Sequence, residues 1–66
     1  MLTTTERQAV SELAHFLLQH ERLDEAEHVL RGICRAAPED PYGWYGLAIV
    51  AERRGELEAA AKLHTQ

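Results

Sequence analysis

Apolar residues recur with helical spacing along nearly the whole chain. In the first stretch they fall three and four residues apart, at Ala9, Val10, Leu13, Ala14, Phe16, Leu17 and Leu18. This spacing predicts an amphipathic helix, with Thr5 as its N-cap and Gln8 completing a capping box. No segment alternates apolar and polar residues in the manner of a strand, so the sequence predicts an all-α fold.

A second helix is predicted with Asp24 as its cap and Glu27 at the third position. Carboxylates at a helix start are favoured by the helix dipole. The helix must end before Pro38, because the residue preceding a proline is pushed out of the α region. Its predicted buried face consists of Ala26, Val29, Leu30, Ile33 and Cys34.

A third and a fourth helix are predicted on either side of Gly55. Asp40 is suited to cap the third helix and Pro41 to occupy its first position. Gly55 is suited to end it, and a short fourth helix then follows from about Glu56. The predicted core stripe of the third helix is Trp44, Leu47, Ala48 and Ala51. The apolar positions of the fourth helix are Leu57, Ala60, Ala61 and Leu63.

The two halves of the chain repeat each other at an offset of 34 residues. Four identities carry the repeat, namely Leu13 with Leu47, Ala14 with Ala48, Leu23 with Leu57, and Ala26 with Ala60. A helical hairpin repeated at a fixed period is the pattern of a solenoid.

This pattern resembles the tetratricopeptide repeat (TPR) family, whose unit is about 34 residues long. The first unit matches the family pattern at Val10, Leu13, Ala14, Leu17, Ala26, Leu30, Ile33 and Pro38. The second unit matches it at Trp44, Leu47, Ala48, Ala51, Gly55 and Ala60. The resemblance implies one domain over residues 1–66, with repeat one at about 7–40 and an incomplete repeat two at about 41–66. It implies about two TPR-like hairpins, that is, four antiparallel helices with a short last one.

The resemblance also implies which residues pack, and where the chain departs from the pattern. Ala48 is expected where two helices approach most closely, and Trp44 is expected in the core. Glu21 stands where the family usually has a turn glycine, and His64 stands where it has an apolar residue. The second unit ends before its closing proline, which suggests a truncated chain or a last helix completed by a partner.

Charge and composition narrow the class of function. The formal net charge is −4 and the basic residues are scattered, which argues against nucleic-acid binding. The longest apolar run, Leu47–Ala51, is too short to span a membrane, and the N-terminus lacks the layout of a signal peptide. The lone Cys34 fits a reducing compartment and a buried position. We therefore expect a cytoplasmic protein.

The sequence offers no persuasive catalytic or metal-binding arrangement. The four histidines, at positions 15, 20, 28 and 64, lack the i, i+4 spacing of a helical zinc pair. The acidic clusters lie at predicted helix starts, where capping accounts for them. The sequence therefore predicts a protein that is not an enzyme and that uses no metal or cofactor.

Peptide binding is the class that the resemblance favours, since the first helix of each TPR unit lines a concave groove. The groove positions that this chain offers for binding are Leu18, Tyr42, Tyr45, Ile49 and Arg53. The Lys, Asn and Arg set of chaperone-tail clamps is missing, so that subtype is not expected. These residues could instead pack against a neighbouring repeat or a second copy of the chain, and both interpretations stay open here.

The predicted function is a module that binds a polypeptide partner. A narrower version is a chaperone for a type III secretion substrate or export component, whose repeats the segment 41–48 resembles. The alternative is an N-terminal fragment of a larger TPR scaffold or assembly factor. Because about three repeats are usually needed for stability, we also expect a homo-oligomer or a hetero-complex.

Overall fold

Three α-helices make up the described part of the chain. The computed structural model describes residues 3–65, with side-chain surroundings up to residue 62. The helices are α1 (Thr4–Gln19), α2 (Leu23–Ala36) and α3 (Pro41–Thr65), and residues 3–65 contain no strand. The all-α prediction is confirmed, whereas the prediction of four helices is wrong.

Helix α1 begins with a capping box two residues earlier than predicted. The Thr3 hydroxyl accepts a hydrogen bond from the Glu6 backbone N–H at 3.1 Å, and the Glu6 carboxylate accepts one from the Thr3 N–H at 3.2 Å. The pKa of the Glu6 carboxyl is lowered first by the hydrogen bond from the Thr3 backbone N–H and then by hydrogen bonding with the Thr3 side chain. Thr5 and Gln8 are therefore helical residues rather than caps, because the Thr–x–x–Glu sequence nearer the N-terminus supplies the stronger motif.

The turn between α1 and α2 is made at Glu21 without glycine. Glu21 has a φ of 58°, in the left-handed region where glycine is usual. The turn is closed by the Arg22 N–H, which donates to the Leu17 carbonyl at 2.9 Å. Helix α2 then begins at Leu23, with Arg22 as an N-cap that makes no side-chain hydrogen bond. Asp24 is thus not the cap, but its carboxylate lies in the first turn, where the dipole still favours it.

Helix α2 is the central element, and it packs against both α1 and α3. Ala14 of α1 and Ala26 of α2 are both fully buried, as the repeat pattern predicted. Small side chains at these two positions let α1 and α2 approach closely. The buried core cluster comprises Ala14, Leu17, Leu23, Ala26, Leu30, Ile33 and Val50.

Helix α3 starts as predicted and approaches α2 through two glycines. The Asp40 carboxylate accepts a hydrogen bond from the Tyr42 N–H at 3.0 Å, next to Pro41 at the first helical position. A methyl group on Gly43 would lie 2.7 Å from Cys34 Sγ, and one on Gly46 would lie 2.9 Å from Leu30 Cδ1. These two glycines therefore set the separation of α2 and α3.

Helix α3 continues through Gly55, so the predicted fourth helix does not form as a separate element. One glycine costs a helix only about 1 kcal/mol, and the residues after it are mostly good helix formers. Adding residues to an existing helix is much easier than starting a new one. Residues 55–62 are all exposed. We call residues 55–65 of α3 the tail.

Three of the four predicted core positions of α3 are wrong, whereas Leu47 is half-buried and packs against the core cluster. Trp44 is 55% exposed, and Ala48 and Ala51 are also exposed. The buried positions are Gly43, Gly46 and Val50 instead. In the first unit α2 folds back over the equivalent positions Ala14 and Leu17. No helix among residues 3–65 covers Ala48 and Ala51, because α3 does not turn back at Gly55.

Candidate functional site

Helices α1 and α3 lie side by side in the same direction and are linked at three levels. Near their starts, Arg7 Nη1 lies 3.5 Å from Asp40 Oδ2. In the middle, the Tyr42 hydroxyl donates a hydrogen bond to the Ser11 carbonyl at 3.0 Å. At the end of α1, an ion pair joins Arg53 to Glu21. These links create a continuous surface along α1 and α3, which we call the α1–α3 face.

Tyr42 belongs to the fold as well as to this face. Its ring is half-buried against the core cluster, and burial raises the pKa of its hydroxyl. The hydroxyl is already engaged with Ser11. Tyr42 therefore holds α3 against α1 in addition to lining the α1–α3 face.

The other four predicted groove residues differ in their freedom to bind. Tyr45 is 67% exposed, more than any other large hydrophobic residue described as exposed. Ile49 and Leu18 are half-buried, and Leu18 packs against the core cluster. Arg53 is half-buried and paired with Glu21. The structure thus leaves Tyr45 as the most available side chain of the five.

A second charged cluster fixes α3 to the start of α2. Arg54 Nη2 lies 2.6 Å from Asp24 Oδ1, and Arg54 also pairs with Glu27. Glu27 accepts a further hydrogen bond from Arg31 at 2.9 Å. The hydrogen bonds from Arg54 and then Arg31 lower the pKa of Glu27. This cluster holds α3 to the start of α2 four residues after the buried Val50.

A groove on the other side of α3 was not predicted from the sequence. Its cavity of about 220 Å³ is lined by Arg31, Cys34 and Arg35 of α2 and by Trp44 and Leu47 of α3. The Trp44 indole N–H donates to the Pro38 carbonyl at 3.0 Å, which fixes the ring beside the groove. We call it the Trp44 groove. The family pattern did not predict this groove, because it places a second helix of the repeat over Trp44 and Leu47. In the structure α3 continues straight, and the two residues are not covered in this way.

The repeat architecture and its sequence agree with a known family. A family model described as Tetratricopeptide repeat matches residues 7–50, which are 44 of the 66 residues. The chain belongs to the tetratricopeptide repeat family. The TPR match covers α1, α2 and the packed first part of α3, and it ends at Val50, before the tail. No curated protein and no solved structure gave a significant match.

Two further properties of the described residues concern membranes and metals. None of the three helices is long and apolar enough to cross a membrane. Residues 3–62 bring together no group of three or more His, Cys, Asp or Glu side chains that could hold a metal ion. TPR repeats generally mediate protein–protein interaction, so the exposed apolar surfaces of the described residues, the α1–α3 face among them, are the places to look for a binding site.

Proposed function

We propose that this TPR protein binds a polypeptide partner through the α1–α3 face and that its function is recognition rather than catalysis. The supporting observation is the exposure of Tyr45, an aromatic side chain whose polar hydroxyl can remain in water while its ring is covered. Tyrosine is enriched among residues that dominate binding energy for this reason. Ile49, one helical turn further along α3, extends the same apolar surface.

The rigid setting of Tyr45 adds to this proposal. Tyr42 is fixed by its hydrogen bond to Ser11, and Arg53 is fixed by its ion pair with Glu21. Little conformational entropy is therefore lost when a partner orders the surface between them. A partner segment with apolar anchors, either extended or helical, fits such a face.

A narrower form of the proposal is a chaperone role for a type III secretion substrate or export component. The net charge of −4 and the resemblance of segment 41–48 to such chaperones support it. The alternative is that these residues belong to a larger TPR scaffold or assembly factor. Export genes beside the gene for this chain would favour the chaperone, and their absence would favour the scaffold.

The experiment is affinity capture with mass spectrometry, followed by binding measurements with the purified partner. Tyr45→Ala should weaken binding by about 1–3 kcal/mol, which is roughly 5- to 150-fold, with little change in melting temperature. Phe16→Ala is a matched control, because Phe16 is also a half-exposed aromatic residue but stacks on His20 with ring centroids 4.3 Å apart. Equal affinity for the wild-type and Tyr45→Ala proteins would refute this binding face.

A further inference from the structure

We propose that the α1–α3 face selects a basic partner segment, with an apolar side chain of that segment beside Tyr45 and a Lys or Arg side chain against Glu52. The inference rests on the proposed function and deepens it by naming the chemistry of the partner. It depends on an apolar cavity at the start of α3 and on glutamates of the same face that no cation of the described residues neutralises.

The cavity supplies a subsite for the apolar side chain. Its volume is about 340 Å³, and it is lined by Asp40, Pro41, Tyr42 and Tyr45. The charged group in this lining is already engaged, since Asp40 Oδ1 accepts a hydrogen bond from the Tyr42 N–H and Oδ2 lies 3.5 Å from Arg7 Nη1. The proline ring and the two tyrosine rings therefore offer a mostly apolar surface, which an aliphatic or aromatic side chain can cover.

The arginines of the face are neutralised within the chain. Near the start of α1, Arg7 pairs with both Asp40 and Glu39, and its Nη2 lies 3.8 Å from Glu39 Oε1. At the other end of the face, Arg53 is paired with Glu21. Because each guanidinium already has a carboxylate beside it, neither arginine is a strong site for an acidic partner segment.

Glutamates of the same face are not neutralised in this way. One side of α3 carries, at intervals of four, three and four residues, Tyr45, Ile49, Glu52 and Glu56. Glu52 and Glu56 are exposed, and neither side chain makes an ion pair or a hydrogen bond with a described residue. The apolar surface at Tyr45 and Ile49 therefore continues directly into two carboxylates that a partner can pair.

Glu12 extends the negative charge onto α1. It is exposed, and its carboxylate accepts a hydrogen bond at 3.4 Å from the uncharged side-chain amide of Gln8. Together with Glu52 and Glu56, it gives the face a negative potential, which attracts Lys and Arg side chains and repels Asp and Glu. Charge complementarity thus favours a basic segment as the occupant.

The positions of these groups along α3 set the spacing of the partner's side chains. Glu52 and Glu56 follow Tyr45 by seven and eleven residues, which is about 10 and 16 Å along the helix. An extended segment advances about 3.3 Å per residue, so its Lys or Arg should lie about three to five residues from its apolar side chain. This spacing distinguishes a specific contact from a general attraction between opposite charges.

Selection from a random peptide library on the full chain provides the first test. Peptides that bind the wild-type protein and lose affinity for Tyr45→Ala should combine an apolar residue with Lys or Arg at this spacing. Selected peptides that depend on Tyr45 but are neutral or acidic would overturn the inference and leave the proposed function standing. If no selected peptide depends on Tyr45, the proposed function fails and the inference fails with it.

Charge reversal provides the second test, with a selected basic peptide and its counterpart bearing Glu in place of the basic residue as probes. Glu52→Lys should weaken binding of the basic peptide about tenfold, because a like-charge contact replaces an opposite-charge pair. The same variant should bind the counterpart peptide more tightly than the wild-type protein does. Unchanged affinity of the basic peptide for Glu52→Lys would overturn the inference.

Glu58→Lys is the matched control on the same helix. Glu58 is exposed but follows Ile49 by nine residues, about two and a half turns, and so lies on the opposite side of α3. The same change in net charge should there reduce affinity by less than about twofold, since salt screens distant charges. Equal losses for Glu58→Lys and Glu52→Lys would show that only net charge matters and would overturn the contact at Glu52. Circular dichroism of both variants should match that of the wild-type protein, and the counterpart peptide tests the same contact without altering the protein.

Discussion

Replacement of Gly46 by alanine tests the closest approach in this fold. The added methyl group would lie 2.9 Å from Leu30 Cδ1 and 3.2 Å from Leu30 Cγ, and it would also press on Leu30 Cδ2. Leu30 is fully buried in the same cluster as Ile33 and Val50. Its side chain therefore cannot turn away without displacing the core.

Two effects of opposite sign determine the stability of Gly46→Ala. Alanine is favoured over glycine in a helix by about 1 kcal/mol, whereas overpacking a core typically costs about 1–3 kcal/mol. Because three atoms of one buried side chain are approached together, we place the overpacking cost near the upper end of this range. The net loss is then about 1–2 kcal/mol, which lowers the melting temperature by roughly 5–15 °C in a domain of this size.

Gly32→Ala is the matched control for Gly46→Ala. Gly32 lies within α2, and no atom is found within 4 Å of the position that its Cβ would occupy. The same chemical change should therefore stabilise the protein by about 0.5–1 kcal/mol. Thermal and urea unfolding followed by circular dichroism measure both variants.

If Gly46→Ala is as stable as Gly32→Ala, then α2 and α3 do not approach each other at Gly46 as described. Combination with Leu30→Val removes part of the crowding. The Gly46→Ala substitution should therefore cost less in that background than alone, and this non-additivity would identify Leu30 as the source of the penalty.

Three further substitutions test other parts of the fold. Glu21→Gly should raise the free energy of unfolding by about 0.5–1 kcal/mol, because relief of the left-handed backbone outweighs the lost surface pair with Arg53; a lower urea midpoint would contradict this. Glu27→Gln should destabilise the protein at neutral pH. Since the pKa of Glu27 is lowered by folding, its contribution is complete above the unfolded value of about 4.3 and is lost as the pH falls through the folded value. Unfolding curves of wild-type and Glu27→Gln proteins should therefore converge in acid, and a constant difference would show that the charge of Glu27 is not responsible. Thr3→Ala should cost about 0.5–2 kcal/mol by removing the α1 cap, and an unchanged melting temperature would locate the cap elsewhere.

Features fixed by neighbouring residues could be predicted from the sequence. Pro38 ends α2 through the backbone of the residue before it, and Asp40 with Pro41 starts α3 through contacts within one turn. The burial of Ala14 and Ala26 could also be predicted, because the repeat indicates which small residues meet. In each case a short segment of sequence contains most of the residues that determine the feature.

Features fixed by distant contacts could not be predicted in the same way. Gly55 is compatible with either a helix end or a helix interior. Its sequence neighbours do not determine whether α3 ends there or continues. The exposure of Trp44 depends on that choice, since a folded-back fourth helix would have covered it. The hydrogen bond from Tyr42 to the Ser11 carbonyl depends on how α3 lies against α1, and no local pattern encodes it.

The cluster at Arg54 divides α3 into two parts with different protection from solvent exchange. Amide protons before it belong to a segment held by Asp24, Glu27 and the buried Val50, so their exchange requires the bundle to open. Residues 55–62 are exposed, so we expect their amide protons to exchange through fraying of the helix end at little cost. We therefore expect a single continuous helix to span two cooperative units, with the boundary near Arg54 although the backbone is unbroken there.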